Sequence, residues 1–370
     1  MRSGWNFWGE HCTPEAAKIG LQCVWTYLGH MANEALSSKR IGIIGSGSWA
    51  TALAHLFTRH EDASEHPVNW WVRRESSLNH IAKTAHNPLY LRSLSLPLDR
   101  LNMSTDIQAV VDNSDIIVLA VPSAYLDDAL RGNQVQGLEN KVVFNAVKGL
   151  VTDQHHIPAR YLHKMMGVPY GRIGLIAGPS HAEEVARENW TYLTLACSNE
   201  KLAQHLANRL RNPWLRTHTT DDIFGIELAA VLKNIYAVAA GIAHGMGLGD
   251  NFIAVLISNA LKETNRFLNA VNETARDVSA SAYLGDLLVT AYSPHSRNRT
   301  LGTMVGKGYR VTGALVEMDM IAEGYPAALG IHQINQKFDV PMPVAECVYR
   351  ILHERIAPSI EMRILADRIH

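Results

Sequence analysis

Residues 40–57, RIGIIGSGSWATALAHLF, are the clearest indication of the fold class. It opens with a short apolar run, which favours a buried strand of a parallel sheet. The pattern G-x-G-x-x-A follows at once, and a segment of helical composition comes after it. Gly45 allows the tight turn, Gly47 lets the backbone approach a pyrophosphate, and Ala50 permits close packing of the helix. This strand, turn and helix predict a Rossmann-type dinucleotide-binding unit.

Further apolar runs continue the alternation of strands and helical segments through the first half of the chain. We expect strands in residues 68–72, 115–121, 141–147, 172–177 and 192–196. Such alternation predicts a mostly parallel sheet covered by helices. Because ligands bind these sheets at the carboxyl ends of the strands, the sequence predicts a site at that edge. The residues expected there are Arg73, Pro122, Lys148 and Gly178.

The loop after the second strand bears on the choice between NAD and NADP. A strict NAD site places an acidic side chain here, where it holds the ribose 2′-hydroxyl. This chain has Arg73 and Arg74 instead. Because a guanidinium binds phosphate in a bidentate manner, we expect the 2′-phosphate of NADP to be at least tolerated. Two solvated loop arginines fit the pattern as well, so the cofactor preference stays open.

The second half of the chain changes to helical spacing after Asp222. Residues 225–243 are mostly small and apolar, yet Lys233 and Asn234 stand in their middle. Burying an ammonium group costs several kcal/mol unless the group is paired or its pKa falls. A desolvated lysine near a second cation can act as a general base near neutral pH, which makes Lys233 a candidate catalytic residue. A lysine that snorkels at a helix edge is the alternative.

Chain length and the change of pattern together predict the domain organisation. A chain of 370 residues is long enough for about two domains. We expect an extension outside the fold over residues 1–37, a Rossmann domain over residues 38–225 and an all-α substrate domain over residues 226–370. A short helix over Pro14–Tyr27 that docks elsewhere is the alternative for the extension.

The charge balance argues against several classes of protein. Lys and Arg total 34 and Asp and Glu 35, a net charge of −1, which is not typical of a nucleic-acid binder or a basic membrane-surface protein. No apolar run of about 20 residues indicates membrane insertion. The four scattered cysteines fit reduced thiols, and the 18 histidines show no metal-type spacing. We therefore expect a cytoplasmic enzyme or ligand-binding protein without a metal.

Seven motifs resemble, in the same order, those of the soluble bacterial NAD(P)-dependent glycerol-3-phosphate dehydrogenases. The similarity runs from about residue 39 to residue 360. The motifs are residues 45–54, 147–150, 178–185, 227–234, 285–287, 296–299 and 321–324. The resemblance implies hydride transfer between C2 of sn-glycerol 3-phosphate and the nicotinamide of NAD or NADP, with dihydroxyacetone phosphate as the ketone. It also implies that the product supplies phospholipid synthesis.

The resemblance further implies the roles of individual residues. Lys233 would be the general acid/base, Asp286 would hold it in place, and Lys148 would bind substrate and polarise the C2 oxygen. Besides these three, the expected substrate contacts are Gly178, Ser180, Ser296, Arg297 and Asn298. The expected cofactor contacts are Gly45, Gly47, Ser48, Trp49, Arg73, Lys148, Ala182, Arg297, Ile321 and Glu323.

The sequence departs from the family pattern at three positions. Ala50 and Val72 stand where the family usually has Gly, and the usual G-L-G-D approach to the aspartate is here Ala282-Tyr-Leu-Gly-Asp286. None of these changes removes a catalytic residue. The loop before Asp286 is bulkier, so its local shape is in question.

Two alternative functions stay open at this point. Ketopantoate-type and β-hydroxyacid-type reductases share a Rossmann domain followed by a helical domain. Arg297 and Asn298 argue against them, because an unphosphorylated acid needs no phosphate anchor. A non-catalytic NADPH sensor is the second alternative, and the intact lysines argue against it. The expected partner is a small-molecule substrate and not a nucleic acid, and a homodimer is left open.

Overall fold

A computed structural model describes residues 39–151, 155–318 and 321–370. The predicted extension, residues 1–37, lies outside these ranges. Residues Arg40–His370 form one compact unit. The boundary near residue 225 stays a prediction, although strands give way to helices at this point of the chain.

One eight-stranded sheet occupies the first half of the described chain. Its strands are β1 (Ile41–Ile44), β2 (Val68–Trp71), β3 (Leu101–Ser104), β4 (Ile116–Leu119), β5 (Val142–Asn145), β6 (Ile173–Ala177), β7 (Thr191–Cys197) and β8 (Leu215–Thr220). They are hydrogen-bonded in the order β3-β2-β1-β4-β5-β6-β7-β8. Neighbours run parallel except β6 and β7, which are antiparallel. The order reverses between β1 and β4, the kind of switch point at which doubly wound sheets bind ligands.

Helices connect the strands and then form the second half by themselves. Those of the first half are α1 (Ser48–Thr58), α2 (Glu75–Thr84), α3 (Ile107–Asp112), α4 (Pro158–Met166), α5 (Ala182–Ala186) and α6 (Glu200–Leu210). Those of the second half are α7 (Ile223–Gly245), α8 (Asp250–Val271), α9 (Asp286–Tyr292), α10 (Arg297–Gly306), α11 (Val311–Glu317), α12 (Gly324–Asn335), α13 (Pro343–Leu352) and α14 (Pro358–Ala366). This arrangement confirms the predicted Rossmann-type sheet followed by an all-α part.

Shorter segments of other helix types complete the secondary structure. The 3₁₀ segments are Glu61–Ser64, Leu98–Arg100, Ser123–Tyr125, Leu138–Asn140 and Tyr170–Arg172. The π segments are Asp128–Gly132 and Ser281–Gly285. The second π segment directly precedes α9, so the bulky loop noted in the sequence has a regular conformation.

The turn between β1 and α1 has the geometry that its glycines predict. Gly45 has φ +129°, and a Cβ there would lie 2.4 Å from the carbonyl oxygen of Ala120. Both the backbone conformation and the space therefore require glycine at this position. A Cβ on Gly47 would meet nothing within 4 Å, whereas Ala50 is completely buried. The turn is packed on the sheet side and open on the side of Gly47.

Helix α7 is the core of the second half. Of its apolar 18-residue window, 94% is buried inside the protein, as in the core helix of a globular domain. Glycines let it touch α10: a Cβ on Gly302 would lie 2.1 Å from the carbonyl oxygen of Val238, and one on Gly241 would lie 2.2 Å from that of Arg299. Backbone contact of this kind fixes the start of α10 relative to Lys233.

Candidate active site

The residues predicted at the carboxyl edge of the sheet lie there. Arg73 follows β2 by two residues, Lys148 follows β5 by three, and Gly178 follows β6 directly. Because these strands are parallel to one another, their carboxyl ends meet at the same edge. Helix α7 brings Lys233 to this edge, where it meets Lys148 across their shared partner Asp286.

Lys233, Asp286 and Lys148 form a connected cluster of charges. The Lys233 ammonium donates a hydrogen bond to Asp286 Oδ1. Lys148 Nζ lies 3.7 Å from the other oxygen, Oδ2, and 3.5 Å from the carbonyl oxygen of Gly178. The side chains of Lys233 and Asp286 are 6% and 2% exposed, whereas that of Lys148 is 26% exposed. Lys148 is thus the member of the cluster that is most open to an incoming ligand.

Burial and the neighbouring charges together place the pKa of Lys233 near neutrality. Burial is the main cause that lowers the pKa, and the positive charge of Lys148 lowers it further. The negative charge of Asp286 opposes both, and the pKa of Lys233 falls to about 7. A lysine with this pKa can donate or accept a proton at neutral pH. This is the chemistry that the buried lysine suggests in the sequence.

The loop after β6 adds a residue to which the sequence assigned no role. Gly178 has φ +108°, and Ser180 Oγ donates to its carbonyl oxygen at 3.1 Å. The next residue is His181, whose Nε2 is buried and accepts or donates no hydrogen bond within the described structure. Burial and then the charges of Lys148 and Lys233 lower the pKa of His181. A neutral imidazole thus stands beside the two lysines, and its position next to Ser180 was the sequence feature that could have identified it.

Asparagines join three helices next to the charge cluster. Asn298 Nδ2 donates to Asn234 Oδ1 at 2.9 Å, and its Oδ1 accepts the Gly324 N–H at 2.8 Å. Asn234 Nδ2 donates to the carbonyl oxygen of Lys148 at 2.8 Å. The side chain of Asn298 is therefore largely engaged in holding α7, α10 and α12 together, with one N–H left over for a ligand.

The first turn of α10 has the features of an anion site. Ser296 precedes the helix and accepts the Arg299 N–H through its Oγ at 3.3 Å. Arg297 is exposed, and its Nη1 donates to the carbonyl oxygen of Ile321 at 3.2 Å. A helix N-terminus beside a guanidinium favours a phosphate group, since the N–H groups and the positive end of the dipole point toward it.

Glu323 closes the site from the side of α12. Ser123, in the loop after β4, donates to its carboxylate from the hydroxyl at 2.6 Å and from the backbone N–H at 3.2 Å. A Cβ on Gly149 would lie 2.6 Å from Glu323 Oε2, so the loop after β5 also touches this group. Burial raises the pKa of Glu323, against the hydrogen bonds from Ser123.

The residues of the glycine turn fit a dinucleotide. Gly47 stands before α1 without a side chain to cap it, so the first-turn N–H groups remain for a phosphate. Ser48 and Trp49 begin α1, and Ala182 begins α5. Arg73 is exposed and makes no hydrogen bond or ion pair with the other predicted site residues. Hydrogen bonds and ion pairs connect the predicted substrate residues Lys148, Gly178, Lys233, Asp286 and Asn298, the last through Asn234. Among the described residues, no such contact links Arg73, Ser48 or Trp49 to the lysines.

A buried glutamate positions the lysine helix against the sheet. Glu227, in α7, accepts a hydrogen bond from Asn145 Nδ2 of β5 at 2.7 Å. It also accepts the Ala159 N–H at the start of α4 at 3.1 Å. The contact fixes α7 to the strand that leads to Lys148. Among the described residues, no three His, Cys, Asp or Glu side chains are grouped in a way that could hold a metal ion.

Two family models match most of the chain. The N-terminal model of NAD-dependent glycerol-3-phosphate dehydrogenase matches residues 40–203, and the C-terminal model matches residues 222–363. A glycerol-3-phosphate dehydrogenase (NAD(P)+) of Solidesulfovibrio magneticus is 36% identical over 321 residues, covering 86% of this chain and 96% of that protein. A second such enzyme, of Salinibacter ruber, is 34% identical and covers 87% and 92% of the two chains.

Solved structures give the same picture. Glycerol-3-phosphate dehydrogenase from Coxiella burnetii superposes with a TM-score of 0.81 at 29% identity, covering 90% of this chain and 100% of that one. A ketopantoate reductase from Ralstonia eutropha covers 87% and 99% of the two chains with a TM-score of 0.56 at 14% identity, a likeness of fold alone.

Proposed function

The chain belongs to the NAD-dependent glycerol-3-phosphate dehydrogenase family, and from that premise we propose how its residues interconvert dihydroxyacetone phosphate and sn-glycerol 3-phosphate. The enzyme is an NAD(P)-dependent oxidoreductase acting on a CH–OH group. The observation that carries the assignment of roles is the buried cluster of Lys233, Asp286 and Lys148 at the carboxyl edge of the sheet. No comparable observation favours a ketopantoate-type reductase or a non-catalytic sensor.

The cluster supplies the proton chemistry at C2. When bound, the nicotinamide cofactor supplies or accepts the hydride. In reduction Lys233 donates a proton to the developing alkoxide, and in oxidation it takes the proton back. Lys148 stabilises the negative charge on the oxygen, because it is the more exposed cation beside the carboxylate. Asp286 keeps Lys233 in place and prevents its pKa from falling further.

The phosphate of the substrate is proposed to bind at the start of α10. Arg297, Ser296 and the remaining N–H of Asn298 lie there, and the Asn234 side chain links Asn298 to the backbone of Lys148. Gly178 and Ser180 complete the substrate side of the site near Lys148. Anchoring the phosphate at a distance from C2 helps to hold the carbonyl in a reactive position.

Replacing Arg297 by alanine is expected to raise the KM for dihydroxyacetone phosphate by about 10- to 100-fold, since a hydrogen bond to a charged group contributes about 1.5–3 kcal/mol. Steady-state kinetics at saturating cofactor measure the change. Arg299→Ala, two residues later in the same helix, is the matched control and should leave KM within about twofold. Equal effects of the two variants would refute the phosphate role of Arg297.

Replacing Arg73 by alanine should raise the KM for NADPH by about tenfold and that for NADH by less than about twofold, because only NADPH carries the 2′-phosphate. The exposed Arg363, in α14, provides the control variant Arg363→Ala. Equal losses with both cofactors would show that Arg73 does not contact the 2′-phosphate. The same kinetics would establish which cofactor the enzyme prefers.

The activity itself is tested by oxidation of NADPH and NADH with dihydroxyacetone phosphate beside ketopantoate. We expect turnover with dihydroxyacetone phosphate and none with ketopantoate. Turnover with ketopantoate but not with dihydroxyacetone phosphate would overturn the proposal.

A cytoplasmic location and supply of glycerol 3-phosphate to phospholipid synthesis belong to the proposed role. Fractionation of cells would check the location. Light scattering of the purified protein would decide whether it is a homodimer.

A further inference from the structure

Three side chains meet at the start of α7, the helix that carries Lys233. Asp222 stands directly before α7 and caps it, since its Oδ1 accepts the Gly225 N–H at 2.9 Å. Arg276 Nε donates to Asp222 Oδ2 at 2.9 Å, and the Tyr283 hydroxyl donates to the same oxygen. We call Asp222, Arg276 and Tyr283 the Asp222 clasp.

The clasp is buried and charged. The side chains of Arg276 and Asp222 are only 2% and 8% exposed, and Tyr283 is 7% exposed. Burial by itself would raise the pKa of Asp222, but the hydrogen bonds from Arg276, Tyr283 and the Gly225 N–H outweigh it and lower the pKa. The carboxylate is therefore ionised at neutral pH and binds its donors strongly.

The position of the clasp relates it to the catalytic ion pair. Tyr283 lies in the π segment Ser281–Gly285, three residues before Asp286, and Asp222 caps the helix that carries Lys233. The clasp thus ties together the two chain segments whose side chains form the ion pair. Tyr283 also lines the same small cavity as Lys233. The bulky residue noted in the approach to Asp286 has a defined partner in the fold.

From these contacts we propose that Tyr283 is a positioning residue, which, through Asp222, sets the place of Asp286 against Lys233. This inference rests on the proposed role of Lys233 as the general acid/base. Tyr283 would act through Asp286, because its hydroxyl is bound to Asp222. Without that bond the π segment loses its tie to α7, and the carboxylate of Asp286 gains freedom to move away from the ammonium.

A weaker contact between Asp286 and Lys233 would change the pH dependence of proton transfer. Lys233 is faced by Asp286 from α9, by Lys148 from the loop after β5 and by His181 from the loop after β6, and of these groups only Asp286 is negative. Weakening the contact with Asp286 therefore lowers the pKa of Lys233. Reduction of the ketone requires the ammonium form, so the alkaline limb of its pH profile moves to lower pH.

Tyr283→Phe tests the proposal, because it removes the hydroxyl and keeps the ring. We expect kcat for dihydroxyacetone phosphate reduction to fall about tenfold, with the alkaline limb of the kcat profile at lower pH. Asp222→Asn should move the limb in the same direction. Tyr292→Phe, at an exposed tyrosine at the end of α9, is the matched control and should change neither quantity. A lowered melting temperature with an unmoved limb would overturn the proposal.

A second measurement keeps this test independent of turnover. Tyr283→Phe and Lys233→Met are combined in a double-mutant cycle on the free energy of unfolding. We expect the two changes to be coupled, because each acts on Asp286. Additive losses would overturn the positioning role even in an active enzyme. The two proposals can fail separately. If the wild-type protein does not turn over dihydroxyacetone phosphate but the two substitutions are coupled, the proposed function is refuted and the positioning role of Tyr283 is supported.

Discussion

Replacing Lys233 by methionine is expected to lower kcat for dihydroxyacetone phosphate reduction by about 10²- to 10⁴-fold, the range that a positioned general acid supplies. Methionine has a similar length and suits the apolar surroundings of α7, so the fold should persist. The remaining cluster keeps Lys148 and Asp286 but has lost the lysine whose pKa lies near neutrality. Stopped-flow and steady-state measurements of NADPH oxidation give kcat.

The pH profile of the wild-type enzyme provides an independent test of the same assignment. The pKa of Lys233 is about 7. Reduction needs the ammonium form, so its rate should fall as pH rises through this value. Oxidation of glycerol 3-phosphate needs the amine, so its rate should rise over the same interval. Lys233→Met should abolish both limbs, whereas Lys337→Met at an exposed lysine should preserve them. Retained turnover in Lys233→Met would contradict the acid/base role.

Replacing Gly302 by alanine is expected to destabilise the protein by about 3 kcal/mol or more, because overpacking in a core forces the backbone apart. The new Cβ would lie 2.1 Å from the carbonyl oxygen of Val238, an atom of backbone that no side-chain rotation can move away. Chemical denaturation, with the melting temperature as a second readout, measures the loss. The start of α10 should shift as well, with a higher KM for the phosphorylated substrate.

A glycine in a neighbouring helix provides the control for this prediction. Gly313 lies in α11, and a Cβ there would meet nothing within 4 Å. Gly313→Ala should be neutral or stabilise the protein by up to about 1 kcal/mol, since alanine favours helix more than glycine does. Equal stability of the Gly302→Ala and Gly313→Ala variants would contradict the view that Gly302 is needed for the close contact between α7 and α10.

The sequence predicts the centre of the sheet well and its edges poorly. The strands of the centre are apolar runs, and Ile41–Ile44 and Ile116–Leu119 are buried at every residue. The two unpredicted strands, Leu101–Ser104 and Leu215–Thr220, are the outermost ones, and both are polar and partly exposed. Strands that are covered on both faces consist of apolar runs, so a search for such runs finds them. Edge strands are partly exposed and therefore contain polar residues, so the same search misses them.

The direction of one strand also required the tertiary structure. Strand β7 runs antiparallel to β6, although both fit the pattern of a parallel sheet. The connection between them contains only the five-residue helix Ala182–Ala186. A parallel crossover needs a connection long enough to span the sheet, usually with a full helix. The connection over residues 178–190 thus contains less helix than the usual parallel crossover.

Of the three predicted catalytic residues, only Lys233 could be argued from the sequence pattern alone, as the glycine turn could for the cofactor site. Lys233 was conspicuous because burying an unpaired charge in an apolar helix costs free energy. The other roles came from the family resemblance, because contacts such as that between Asn234 and the Lys148 backbone join residues 86 positions apart. The spacing of residues along the chain does not predict contacts between positions so far apart. The contacts of His181 and Tyr283 depend on how the loop after β6 and the segment before α9 are placed in space, although the position of His181 next to Ser180 is visible in the sequence.

The bond between Ser123 and Glu323 has a consequence for how the enzyme is made. The two residues are 200 positions apart. A ribosome that has completed the loop after β4 must add more than half of the chain again before the acceptor for that serine exists. The contact between the loop after β4 and the start of α12 can therefore form only after most of the chain has been synthesised.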